Sequence, residues 1–108
     1  MGFALPAALG ARLGDPTRPV VAVVGDGGFQ MTIQELGTLA TNGIDVKVVV
    51  LNNEYLGMVR QWQEIFYEGR YASTAMQNPD FVAIARGFGV EAACVSERER
   101  LELSLIHI

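Results

Sequence analysis

The sequence predicts an α/β domain of three layers, a parallel sheet flanked by helices. Two runs, Val20–Val24 and Val46–Leu51, are β-branched and almost unbroken in apolar character, as strands covered on both faces are. Between them Phe29, Ile33, Leu36 and Ala40 recur at helical spacing. Each run ends in turn-forming residues, Gly25-Asp26-Gly27-Gly28 after the first and Asn52-Asn53 after the second. Strand, helix and strand over roughly 30 residues make a βαβ unit with a right-handed crossover. Both strands then point the same way. Gly25-Asp26-Gly27 and Asn52-Asn53 are therefore expected along one edge of the sheet, where open parallel sheets place their ligands.

The elements follow in order. Ala4 to Leu13 is rich in Ala and Leu, tolerates Pro6 in a first turn, and is stopped by Gly14-Asp15-Pro16, so a short helix opens the chain. The strand Val20–Val24 ends in a tight turn at Gly25-Asp26-Gly27-Gly28, and a helix runs from Phe29 to Thr41 until Asn42-Gly43 stops it. After the second strand, a helix from about Leu56 to Tyr67 carries Met58, Val59, Trp62, Ile65 and Phe66. Residues 68–77 have no period and read as a loop. Asn78 is expected to cap the next helix, with Pro79 in its first turn and Phe81, Ile84, Ala85 and Phe88 on its apolar face. Gly89 ends it. Ala92 to Val95 then reads as a third strand, and Ser96 with Glu99 has capping-box spacing for a last helix.

Composition bounds the function. The 108 residues, 50% of them hydrophobic and 19% charged, suffice for one packed domain with a modest core. Chemistry that needs a second domain must come from another chain. The net charge of -4 argues against duplex nucleic acid or an anionic membrane as partner. A single cysteine, Cys94, excludes an intrachain disulfide and a multi-thiolate metal centre and fits a reducing cytoplasm, the expected compartment. The apolar opening MGFALPAALGA is shorter than the roughly 20 residues that span a bilayer, so no membrane segment is expected there. No basic residue precedes Arg12, so it does not read as a secretory leader either.

The glycines after the first strand suit the cradling of a phosphate by backbone N–H groups. They match neither a P-loop nor GxGxxG, and Asp26 stands where a diphosphate would lie. Two anions at close range need a cation between them. Mg²⁺ fits, because it takes oxygen ligands from one or two protein groups plus substrate phosphates. Asn53, at the end of the second strand, offers an amide oxygen from the adjacent direction. Taken alone, a Gly-Asp-Gly after a strand is ordinarily a turn and an Asn-Asn ordinarily a cap. Their coupling across one crossover helix is what marks a metal site.

That coupling resembles the thiamine diphosphate enzymes. The likeness extends from Met1-Gly2-Phe3-Ala4-Leu5-Pro6-Ala7-Ala8 to Leu51-Asn52-Asn53-Glu54-Tyr55-Leu56-Gly57-Met58-Val59-Arg60-Gln61-Trp62-Gln63, and on through Phe66-Tyr67, Arg70-Tyr71 and Asn78-Pro79-Asp80-Phe81. Over about residues 1–101 the chain resembles the large catalytic subunit of the acetolactate synthase (acetohydroxyacid synthase) family. The Gly-Met-Val-x-Gln-Trp segment is what points within the superfamily to that branch.

The resemblance implies the thiamine diphosphate-binding fold, pyrophosphate domain. It implies that the side chains of Asp26 and Asn53 and the main-chain carbonyl of Tyr55 bind Mg²⁺. Gly25, Gly27 and Gly28 would border the diphosphate, with the Gly27 and Gly28 amides on it. Met1 matches a methionine packed under the cofactor, although it reads equally as an initiator. Met58 and Val59 match residues near the thiazolium and substrate, and Trp62 one lining the substrate channel. Helical spacing alone would make all three core residues. No catalytic residue is expected within the chain, since the glutamate that activates the cofactor comes from a partner subunit's domain in this family.

The implied reaction decarboxylates pyruvate and joins the remainder to a second 2-keto acid, pyruvate or 2-oxobutyrate, in branched-chain amino-acid synthesis. The implied cofactors are thiamine diphosphate and Mg²⁺, with FAD bound mainly outside this segment. The implied assembly is a homodimer or tetramer with a regulatory small subunit. Residues 1–102 read as the cofactor domain of a longer enzyme, cut at both ends, and 103–108 as a non-native tail. Two alternatives stay open: another thiamine diphosphate enzyme, such as pyruvate oxidase or glyoxylate carboligase, or a binding module or inert fragment without activity of its own.

Overall fold

In a computed structural model the structure describes residues 1–101; the tail expected at 103–108 lies outside the described residues. The first helix, α1 (Ala4–Gly14), forms where Ala and Leu dominate, with Pro6 inside its first turn. It presses Leu5, Ala8 and Leu9 against the sheet. The strands β1 (Val21–Gly25) and β2 (Lys47–Leu51) pair in parallel, from Val21 opposite Lys47 to Gly25 opposite Leu51. This register brings Asp26 and Asn52 out side by side at one sheet edge, as the βαβ reading requires. The parallel sheet flanked by helices is the architecture expected.

Three local expectations are corrected. The run Val20–Val24 reads as covered on both faces, yet β1 alternates: Ala22 and Val24 are buried while Val21 is 58% and Val23 61% exposed. The Val21 and Val23 face of β1 is thus open within the described residues.

The helix expected over Phe29–Thr41 is two, α2 (Asp26–Gln30) and α3 (Glu35–Asn42). Between them the bonds Thr32 N–H to Phe29 O, Glu35 N–H to Thr32 O and Leu36 N–H to Ile33 O span three residues rather than four. The chain tightens into 3₁₀-like turns without leaving the right-handed region, with ψ near -20° at Met31 and Gln34. The helix also starts earlier than expected. Gly25 is its extended N-cap, and the supposed tight turn at 26–28 is its first turn.

The third strand is absent among the described residues: Ala92–Val95 makes no ladder, and the sheet has two strands. A strand exists only by pairing. Here a cleft of about 610 Å³ lies between residues 44–47 and 90–95. That cleft is at the start of β2, the opposite end of the sheet from Asp26. Residues 98–101 are helical, close to where the Ser96 and Glu99 spacing expects a last helix.

The core joins Leu5 and Leu9 of α1, Val24 of β1, Phe29 of α2, Leu36 and Leu39 of α3, and Ala85 of α5 (Phe81–Gly87). Phe29 meets Phe81 edge-to-face at 5.5 Å between ring centroids. Helix α3 closes in a Schellman motif, with Gly43 N–H on Ala40 O and Ile44 N–H on Leu39 O, and Gly43 at φ 59°. Nothing lies within 4 Å of a β-carbon built there, so only the backbone argues for glycine. Gly43→Ala is expected to cost about 1–2 kcal/mol, read as a lower urea midpoint at unchanged slope.

Helix α4 (Gly57–Phe66) is strongly amphipathic and yet buries none of its residues. The 68–77 loop fixes its other side. Gln63 pairs with the backbone of Ala72 through two bonds of 3.0 and 3.1 Å, like one strand residue facing another. The Arg60 guanidinium lies 4.3 Å from the Tyr55 ring centroid and 4.8 Å from that of Tyr71. Tyr71 donates its hydroxyl to Glu64. That bond, and to a lesser degree burial, holds the Tyr71 phenol above its ordinary range, with Arg60 working against both. Among the described residues no helix is long and apolar enough to cross a membrane.

Candidate functional site

Asp26 anchors the site. It follows β1 directly and is only 2% exposed, the one buried acid among the described residues. Oδ1 accepts the Gly27 N–H at 2.9 Å. Oδ2 accepts the Glu54 N–H at 2.7 Å and the Asn78 Nδ2–H at 2.6 Å. All three donors are neutral, and among the described residues no cationic side chain pairs with this carboxylate. A buried anion without a counter-charge is costly, and a bound cation removes that cost.

The segment after β2 bends over Asp26. Glu54 takes the left-handed conformation, φ 61°, which an L-residue adopts only under constraint. The constraint is visible on both sides of its peptide: its N–H is tied to Asp26, and its carbonyl accepts the Met76 N–H at 2.8 Å. With Leu56 N–H on Thr74 O at 2.8 Å, this makes an antiparallel bridge between Tyr55 and Ala75. At the centre of such a bridge Tyr55 turns its own N–H and C=O away from Ala75. Its N–H goes to Asn53 Oδ1 at 3.1 Å, which leaves that amide oxygen a second lone pair.

The donor set tests well for magnesium. One carboxylate, one amide oxygen and one main-chain carbonyl are hard oxygen ligands, suited to Mg²⁺ rather than to a thiolate- or imidazole-seeking metal. Among the described residues no group of three His, Cys, Asp or Glu side chains offers a rival centre.

The glycines differ in their reasons. A β-carbon on Gly27 would lie 2.6 Å from Leu56 Cδ2 and 3.2 Å from Met76 Sδ, so the ends of these two side chains pack directly on the glycine and would have to shift to admit a larger residue. Its N–H, expected on a diphosphate, is engaged by Asp26 in this conformation. Gly25 has an ordinary φ of -74° and nothing within 4 Å of a built β-carbon, so the sheet edge above it is open. A β-carbon on Gly28 would approach Gly2 N at 4.0 Å, which brings the Met1-Gly2 segment beside the Asp26 turn.

Of the expected site residues, the structure brings Gly25, Asp26, Gly27, Gly28, Asn53 and Tyr55 to one edge. The apolar ones line no enclosed pocket: Met1 is 84%, Met58 69% and Trp62 57% exposed, and Val59 is also exposed. The core role that helical spacing alone suggests for Met58, Val59 and Trp62 is thereby excluded among the described residues.

Sequence reading missed Asn78, Glu54, Asn52 and Gln30. Asn78 was expected to cap α5, but Asp80 does so, its side chain accepting the Ala83 N–H at 3.0 Å. Pro79 precedes that cap and does not enter the first turn. Asn78 turns instead to the cluster, donating to Asp26 and to Asn52 Oδ1, both at 2.6 Å, and accepting Gln30 Nε2–H at 2.7 Å. The only signal was Pro79, which biases Asn78 towards extended backbone.

Residues 1–106 match the family described as thiamine pyrophosphate enzyme, C-terminal TPP binding domain. The chain belongs to that family. The TPP-binding domain is 53% identical over 107 residues to an acetolactate synthase large subunit of Parasynechococcus marenigrum, covering 97% of this chain and 17% of that protein. It is 44% identical over 106 residues to the acetolactate synthase isozyme 2 large subunit of Escherichia coli, covering 97% of this chain and 19% of that protein. The chain thus spans under a fifth of the length of these two curated relatives. Among solved structures, the thiamine diphosphate-dependent 4-hydroxybenzoylformate decarboxylase of Rhodococcus jostii superposes with a TM-score of 0.89 at 35% identity, covering 95% of this chain and 20% of that one. The expected resemblance to the acetolactate synthase large subunit and the expected fold are both borne out.

Proposed function

We propose that this TPP-binding domain is the cofactor- and metal-holding part of an acetolactate synthase. The observation that carries the reading is the buried Asp26 carboxylate, held by neutral donors beneath the Asn53–Tyr55 turn. In this reading Asp26, Asn53 Oδ1 and the Tyr55 carbonyl hold Mg²⁺, which screens the carboxylate from a diphosphate seated over Gly25 and Gly28. Met1 and Met58 lie against the cofactor, and Val59 and Trp62 line the substrate channel. Their exposure leaves these apolar side chains able to meet cofactor, substrate or another chain.

When bound, thiamine diphosphate supplies an electron sink for the decarboxylation of a 2-keto acid. The residues of this chain orient the cofactor and neutralise its phosphates. The group that moves the activating proton is a glutamate of a partner subunit's domain, and FAD binds mainly outside this segment. The substrates are pyruvate and a second 2-keto acid, pyruvate or 2-oxobutyrate. The assembly is a homodimer or tetramer of catalytic subunits, with a regulatory small subunit, in the cytoplasm.

The domain type and the relatives at 44–53% identity support this reading above other thiamine diphosphate chemistries. Product analysis tests it. Supplied with pyruvate alone, the enzyme carrying this chain is expected to release CO₂ and acetolactate. In aerated phosphate buffer, acetyl phosphate from pyruvate would indicate a pyruvate oxidase, and in a separate assay supplied with glyoxylate, tartronate semialdehyde would indicate a carboligase of the other kind; either as main product overturns the assignment.

A further inference from the structure

Asn78 joins the Asp26 cluster from 52 residues away, and nothing about capping α5 requires it. Its side chain uses three of its four hydrogen-bonding positions there. Both Nδ2 hydrogens are spent, one on Asp26 Oδ2 and one on Asn52 Oδ1, while Oδ1 accepts from Gln30 Nε2. Only one orientation of the amide works. Flipped, its oxygen would face the two acceptors of Asp26 and Asn52, and its NH₂ would face the NH₂ of Gln30.

The consequence falls on the two oxygens of Asp26. Oδ2 receives two donors, at 2.7 and 2.6 Å, and its lone pairs are filled. Oδ1 receives one, from Gly27 at 2.9 Å, and keeps a lone pair. A half-turn of the carboxylate restores the same bonds with the two oxygens interchanged, whereas any intermediate angle breaks the Glu54 and Asn78 bonds, so Asn78 helps to hold the plane in which one oxygen stays free. We infer that Asn78 is a positioning residue, which holds the Asp26 carboxylate in the plane where one oxygen alone, Oδ1, is presented to a divalent cation. Asn52 and Gln30 hold Asn78 in that pose. The inference rests on the reading of Asp26 as a metal ligand.

Mn²⁺ binding, followed by the loss of the free-ion EPR signal at saturating thiamine diphosphate, tests this in the enzyme carrying the chain. Asn78→Ala is expected to weaken Mn²⁺ binding by about 10–100-fold, the usual effect of losing a partner that orients a metal ligand. The unfolding temperature of the metal-free protein should stay near that of the wild type. Asn52→Ala, at an exposed position, should weaken binding in the same direction and by less. It keeps the test decisive should Asn78→Ala fold poorly. Unchanged Mn²⁺ affinity in both variants, while Asp26→Ala loses binding, overturns the positioning role and leaves the metal reading intact. Full binding by Asp26→Ala overturns the metal reading, and the positioning role with it. A loss in Asn78→Ala matched by a fall in metal-free stability, with Asn52→Ala unaffected, marks Asn78 as merely structural.

Discussion

Asp26→Ala is expected to weaken Mg²⁺-dependent thiamine diphosphate binding by roughly 100-fold or more, because removing one partner of a buried charge pair costs about 3–5 kcal/mol. Two effects oppose each other in the variant. The Glu54 N–H and the Asn78 amide lose their acceptor, at about 1–3 kcal/mol for each donor left dry. Against that, a carboxylate 2% exposed and without a cationic partner among the described residues is itself a burden on the metal-free protein. The metal-free variant should therefore be altered in stability far less than the loaded one. Calorimetric titration gives the affinity, and thermal unfolding with and without Mg²⁺ and cofactor gives the split, since a ligand that no longer binds no longer raises the transition. Equal affinity in wild type and variant would contradict the assignment of Asp26.

Phe29→Ala is expected to have the largest effect on stability, about 3–5 kcal/mol. Phe29 is 3% exposed, lies in the central apolar cluster and packs edge-to-face on Phe81. Its removal leaves a cavity where α2 meets α5, and a loss of that size is a large part of the 5–15 kcal/mol that holds a typical domain together. The site should feel it as well. Phe29 lies three positions after Asp26 on the single turn of α2, and Phe81 three positions after Asn78, so this aromatic pair joins the two segments that meet at the carboxylate. Denaturant unfolding is expected to show a much lower midpoint, and cofactor binding to weaken even where the protein remains folded. A stability change under 1 kcal/mol would show that the pair does not hold these segments together.

What could be read in the sequence was what local pattern controls. Val20–Val24 and Val46–Leu51 announced parallel strands, and with them the common edge at which Gly25-Asp26-Gly27 and Asn52-Asn53 emerge. The Schellman close at Gly43 was legible as a glycine stop. Asp26 stood out because a carboxylate in a glycine turn needs a reason. The 3₁₀ break at 31–34 was hidden because a helix that tightens for one turn keeps Phe29 and Leu36 in the core, so the apolar spacing scarcely changes. The third strand failed because composition sets the propensity of Ala92–Val95, while pairing depends on what lies beside it. Asn78 and Glu54 were illegible for a different reason. Asn78 reaches Asp26 across 52 positions, and Glu54 is held left-handed by Asp26 and Met76, contacts that exist only once the chain has folded.

The central claim is that one carboxylate, one amide and one main-chain carbonyl at this sheet edge hold the metal that seats the diphosphate. Anomalous diffraction from Mn²⁺, in crystals of the enzyme grown with thiamine diphosphate, tests it most directly. The expected result is a single peak at each such edge, about 2.1 Å from Asp26 Oδ1, Asn53 Oδ1 and the Tyr55 carbonyl oxygen, the distance of a small octahedral divalent ion. A cofactor bound with the metal elsewhere, or a peak that leaves Asp26 Oδ1 outside its coordination sphere, would contradict it.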